Sequence, residues 1–334
     1  MKLLKIVCVV LFCASAMNAQ TKTGTSMGQF LLIEPSARIA GMGNAGVTAY
    51  GEIQAVYYNP AAAGYLRQHG VQFTHSSWLA DISYDFAALA LNLGSLGNFV
   101  ATVTALNSGD IEVRTVDQPL GTGELYSVKN LAIGLGYGRQ ISDRFSVGLQ
   151  LTYVQETIWH VSSLAFGINV GTLYRVSDDG LHLGASVSNV GTRGKYDGSD
   201  LRIEFDRNPA KHGDNSSLPA IQYVEDYPLP ILFRVGVGYP IRLFRGSVLR
   251  VAFDAFHPSD NTESISLGAE WEYDNLLFFR TGYQNLFLQD SEVGLTFGGG
   301  IRSSLGPYAL SIDYAWADHG RLTETHRLTL GVTF

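Results

Sequence analysis

Glu324-Thr-His-Arg-Leu-Thr-Leu-Gly-Val-Thr-Phe334 alternates polar and apolar residues up to its last position. Leu328, Leu330, Val332 and Phe334 fall on one face, and Arg327, Thr329, Gly331 and Thr333 on the other. A period of two describes a strand, because successive side chains in extended backbone point to opposite sides. This strand has one greasy face and one polar face.

The same rhythm recurs toward the N-terminus. Two-period segments separated by turn residues predict strands at 70–77, 82–93, 97–106, 128–138, 144–155, 162–175 and 180–189. Further ones follow at 229–240, 247–256, 263–273, 276–285, 292–302, 307–316 and 324–334. About fourteen strands is an even number within the range of single-chain membrane barrels. Soluble sandwiches also alternate, so loop lengths carry more weight. Every second connection is tight: Gly94–Gly97, Ser142–Arg144, Ser177–Gly180, Tyr273–Asn275 and Ser303–Gly306, with Ile241–Gly246 somewhat longer. The alternate connections include the two longest, 107–127 and 190–228. Short periplasmic turns and longer surface loops are what an up-and-down barrel requires. Aromatics agree. Trp159, Trp316, Tyr153 and Tyr283 fall beside the longer loops; Trp271, Tyr137, Tyr174, Tyr239, Tyr273 and Tyr308 fall beside the tight turns. Two belts are expected where amphipathic rings meet the two headgroup layers. The expected fold is therefore all-β, a transmembrane up-and-down antiparallel β-barrel of about 14 strands, and a closing strand with a terminal aromatic suits the bacterial outer membrane.

The N-terminus fits export. Met1-Lys-Leu-Leu-Lys5 is basic, Ile6–Phe12 is apolar, and Ala14-Ser-Ala16 or Asn18-Ala-Gln20 offers cleavage. The pattern reads as a signal peptide, too short to span a membrane. Cys8 and Cys13 both lie within it, preceded by Val7 and Phe12, which are too large for a lipoprotein box. The mature chain then has no thiol for disulfides or metal sites. Net charge is −7, or −9 without Lys2 and Lys5. An acidic chain without basic runs argues against nucleic acid as a partner. A hydrophobic content of 46% and mean hydropathy of +0.08 would suit a globular enzyme equally well, but no later run approaches the length of a membrane helix.

Residues 28–66 break the strand rhythm. Small residues and glycines with one short helical piece suggest a compact plug. The expected organisation is a signal peptide at 1–19, a tail and lumenal plug at 20–66, and a barrel at 67–334. Positions expected to face the lumen are often glycine, among them Gly138, Gly148, Gly171, Gly236 and Gly298, and a barrel this wide is not filled by its own side chains. The small residues are expected to widen it further.

The stretch Ala37-Arg38-Ile39-Ala40-Gly41-Met42-Gly43-Asn44-Ala45-Gly46, with Tyr57-Tyr58-Asn59-Pro60-Ala61, resembles the N-terminal region of the PorV/PorQ family. These are FadL-like outer-membrane barrels associated with type IX secretion, and the Asn-Pro-Ala step also resembles the hatch motif of the FadL hydrocarbon transporters. The likeness extends in strand number, plug position and Phe334 over nearly the whole mature chain. It implies outer-membrane lipid around the barrel of a Gram-negative cell, with type IX secretion components and secreted cargo proteins as partners. It also implies a plug motif of Arg38, Gly41, Gly43, Gly46, Asn59, Pro60 and Ala61. The alternative is a FadL-like channel for hydrophobic small molecules. That reading needs a continuous apolar pocket and an opening in the wall.

Motifs that suggest chemistry have bland explanations. Gly41-Met-Gly-Asn-Ala-Gly46 matches GxGxxG, but neither a strand before it nor a helix after it could present a pyrophosphate. Gly24-Thr-Ser-Met-Gly28 matches GxSxG without a sheet beneath it. The histidines are scattered, with no pair at metal-ligand spacing. No metal, cofactor or catalytic set is expected. Charges at lumen positions, Arg234, Arg250, Asp254, Glu270, Arg280 and Asp313, are expected to form an ion-pair ladder holding the plug, with Arg38 paired to a carboxylate. The competing reading is a polar substrate path. Binding is expected on the surface loops, through Leu201, Phe205, Tyr223 and Tyr227, although Leu201–Phe205 could instead be a partnerless hairpin.

Overall fold

The computed structural model describes residues 22–177, 180–208, 210–211, 213, 217–288 and 291–334. The expected signal peptide and both cysteines lie outside the described residues. Fourteen long strands form one closed antiparallel barrel. They are numbered here β1 Gly70–Ser77, β2 Ser83–Asn92, β3 Asn98–Asn107, β4 Val128–Ser142, β5 Phe145–Ile158, β6 Val161–Arg175 and β7 His182–Gly191. The second half contains β8 Leu232–Phe244, β9 Ser247–Pro258, β10 Ser264–Tyr273, β11 Leu277–Leu286, β12 Leu295–Leu305, β13 Tyr308–Asp318 and β14 Glu324–Thr333. Each strand pairs with its sequence neighbour, and β1 pairs with β14 from Gly70↔Thr333 to Ser77↔His326. Closure leaves no sheet edge, so the backbone hydrogen bonds are satisfied within the wall, as a hydrocarbon environment requires.

The alternation decides what faces where. In β1 and β14 every second side chain is exposed on the outer face, including Phe73, Leu328 and Leu330. The intervening Gln72, Thr74, Arg327 and Thr329 point inward and are buried. An apolar exterior over a polar interior reverses a soluble protein's arrangement and suits lipid outside.

Two connections differ from expectation. β8 and β9 run on until Phe244 faces Ser247, with a register shift between Arg242 and Phe244, so the turn is only Arg245-Gly246. On the opposite end, β5 and β6 extend to an Ile158↔Val161 pair, leaving Trp159-His160 as a two-residue turn where a longer loop is expected. The other long-loop connections stand at that end, led by 108–127 and 192–231.

Residues 27–66 run through the barrel from one end to the other. Met27 N–H donates to Pro228 O at 3.0 Å at the long-loop end. Leu66 O accepts from Asn92 and Asn98 at the tight-turn end, just before β1. Between them lie two one-turn helices, Ala37–Ala40 and Ala55–Tyr58, and two 3-10 turns, Gln29–Leu32 and Pro60–Tyr65. Ser36 begins the first helix by accepting from Ile39 N–H. Most of this inner segment is buried, and its apolar residues pack on inward ones of the wall, as Ile53, Val56 and Ala63 do on Tyr84, Phe86 and Val100.

Candidate functional site

Buried charges bind the inner segment to the wall. Arg38 donates through Nε and Nη2 to Glu270 Oε2 and Oε1, both at 2.8 Å. Arg280 Nε donates to the same carboxylate at 2.7 Å, and its Nη1 donates to Asp313 Oδ1 at 2.7 Å. Arg250, half-buried at the edge of the cluster, adds a 3.2 Å contact to Glu270 and a contact to Glu272. Glu270 thus meets three arginines from the segment, β9 and β11. Buried charges persist only when paired and hydrogen-bonded, and the two-pronged Arg38–Glu270 geometry also fixes orientation.

The other two residues of the expected ladder are placed differently. Asp254 accepts from the Val47 backbone N–H at 2.8 Å. Arg234 donates to Ser188 at 2.9 Å and has no carboxylate within ion-pair distance among the described residues. The ladder is therefore shorter than the sequence suggests. A second fastening went unread. Arg327 of β14 donates to Glu34 Oε2 at 3.1 Å, while Asn44 and Gln284 donate to Glu34 Oε1. Trp78 covers the Arg327 guanidinium at 5.0 Å from its ring centroid. Arg327 shares the polar face of the closing strand, which was the available signal. Glu52, beside Ser36 and 4.0 Å from Arg38, carried none.

The inward glycines do not widen the lumen; they let the segment approach. A Cβ at Gly148 would collide with the Pro60 carbonyl, one at Gly171 with the Asn59 amide, and one at Gly268 with Met42. Small residues of the segment answer them. Gly41 lies against Gly298, with a Cβ on it only 3.0 Å from the Gly298 Cα. Gly43 has φ 63°, and its N–H donates to Thr296 at 2.9 Å. A Cβ at Gly46 would meet Ile39 and Tyr58. Asn59-Pro60-Ala61 opens a 3-10 helix. Asn59 Oδ1 accepts from Ala61 N–H, and Nδ2 donates to Val47 O and to Thr172 O, each at 2.9 Å.

Above this filled interior, the long-loop end encloses a cleft of about 1260 Å³. The tail at Gly24–Met27 forms one side, and Ile111, Val113, Tyr126, Trp159 and Tyr196 supply much of the rest. Tyr196 donates to Glu156 at 2.7 Å; burial, then that carboxylate, push its own ionisation well above the usual phenol range. The loop at 192–231 folds back on itself, pairing Arg193–Lys195 with Asp226–Pro228 and Arg202–Phe205 with Leu218–Ile221. Leu201 lines the cleft, whereas Phe205 and Tyr223 are exposed, the latter with Lys195 Nζ 5.2 Å from its ring centroid. Tyr227, half-buried beside Met27, Phe30 and Leu229, lines the same cleft as Leu201.

This is an outer-membrane β-barrel whose lumen holds its own N-terminal segment. A family model described as type IX secretion system protein PorV matches residues 16–208, more than half of the chain. The protein belongs to the PorV family. No curated protein sequence matches it significantly. Among solved structures it is similar to the Pseudomonas putida toluene transporter TodX, with a TM-score of 0.57 and 13% identity over 90% of this chain and 98% of that one. The Ralstonia pickettii toluene transporter TbuX gives a TM-score of 0.54 and 12% identity over 90% and 97%. A Pseudomonas aeruginosa FadL homologue gives 0.55 and 10% over 90% and 98%. Identities this low speak for the fold alone.

Proposed function

We propose that this protein serves type IX secretion as a binding barrel rather than a conduit. Its loop-lined cleft docks secreted proteins or partner subunits, and the inner segment closes the lumen as a plug. The observation that carries this reading is the PorV family match over residues 16–208. Geometry supports it: the cleft opens at the long-loop end, while the path below it is occupied by a segment with buried ion pairs. Mixed charge and exposed aromatics on a rigid scaffold suit protein recognition. Replacing residues 201–222 with a Gly-Ser linker should leave a heat-modifiable barrel that no longer co-purifies with secreted proteins or secretion components.

The rival reading is uptake of hydrophobic compounds, favoured by the apolar side chains in the cleft and by the fold shared with toluene transporters. If the loop variant still secretes and assembles normally while uptake of an aromatic hydrocarbon fails, the rival replaces the proposal.

A further inference from the structure

Of the deeply buried arginines, Arg38, Arg280 and Arg327 each meet a carboxylate. Arg234 does not. It projects inward from β8, is 2% exposed, donates Nη1 to Ser188, and lies 5.4 Å from the Tyr57 ring centroid. Its Nε has no hydrogen-bond partner. Guanidinium does not lose its charge in proteins, and a buried cation without a counter-charge is costly. Glu34 is taken by Arg327, Asn44 and Gln284, and Asp254 holds the Val47 amide on Oδ2, keeps an unpartnered Oδ1 and lies beyond ion-pair distance of Arg234.

Arg234 borders a cavity of about 40 Å³, together with Thr102, Gln150, Thr152, Asn169 and Ser188. Space on this scale admits a few water-sized particles. Three hydroxyls there are acceptors: Thr102 from Gln150, Thr152 from Asn169, and Ser188 from Arg234. Accepting leaves each hydroxyl's own hydrogen free to donate. One fixed cation ringed by neutral donors, in a small cavity, describes a site for a small monovalent anion such as a halide. We propose that this cavity binds a single chloride ion, which supplies the counter-charge of Arg234 and ties β8 to β5, β6 and the inner segment through Tyr57.

The test uses the full mature protein purified in detergent, with bromide as the probe. Crystals grown in sodium bromide should show an anomalous peak within hydrogen-bond distance of Arg234 and Ser188. The unfolding midpoint should rise saturably, on the order of a few degrees, with chloride or bromide but not with gluconate at equal ionic strength. Arg234→Lys should retain a weaker halide dependence and Arg234→Gln should lose it. Equal midpoints in chloride and gluconate, with no bromide peak, would overturn the proposal and leave water or Asp254 to balance the charge. Should Arg234→Gln fail to assemble, the salt titration and the bromide peak of the unaltered protein decide alone.

Discussion

Glu270 concentrates the interior electrostatics in a single side chain, since Arg38, Arg250 and Arg280 all converge on it. Glu270→Ala should therefore strand buried positive charge and lower stability by about 3–5 kcal/mol. Denaturant midpoints of the heat-modifiable barrel would measure this, and a loss no larger than that of a surface variant would contradict the cluster's role. Glycine offers a sharper comparison. Gly148→Val drives a side chain into the Pro60 carbonyl, whereas a Cβ at Gly136 meets nothing closer than 3.6 Å. The first should cost roughly 1–3 kcal/mol as overpacking and the second much less. Equal effects would mean that the segment is not held where these contacts place it. The glycines were visible in the sequence, but their purpose was not, because a missing Cβ has meaning only beside the atom that takes its space.

At the scale of elements, the inner segment is held by side chains and short contacts rather than by strand pairing. The wall's hydrogen bonds close without it. A chain lacking residues 28–66 should thus still form a barrel, though a less stable one, and should conduct ions in planar bilayers where the full protein conducts far less. Unchanged conductance would remove the plug reading. Helix-like pieces of four residues are too short to form alone, so they exist only because the barrel surrounds them. Their positions could not be read from periodicity for that reason. The strand segments could, since a buried face and a lipid face impose a period of two over ten residues or more.

The whole molecule is organised by its surroundings: apolar side chains point outward along the strands, and charge gathers in the lumen and at the ends. Leu151 stands exposed midway along the outer face of β5, and Thr157 lies on the same face near that strand's long-loop end. In a bilayer, Leu151→Arg should destabilise the barrel by about 2–4 kcal/mol, and Thr157→Arg by roughly 0–1 kcal/mol. Reversible unfolding in lipid vesicles measures both, and equal costs would place the hydrocarbon layer elsewhere.

Strand number and the outward-facing residues were legible from the chain alone, because each follows from local alternation and turn chemistry. Connection parity was legible only in part, since Trp159-His160 turns tightly at the long-loop end. Arg38 stood out through the residues around it, yet Glu270 as its partner, 232 positions away, emerges only when the barrel closes. The same holds for Arg327 with Glu34, and for Arg234, whose lack of a carboxylate depends on where every other charge has gone. Alternation fixes the face a side chain occupies but not its height along the barrel or its opposite number across the lumen. Those depend on the register and stagger of all fourteen strands together, and on a segment that takes its shape from the space they leave.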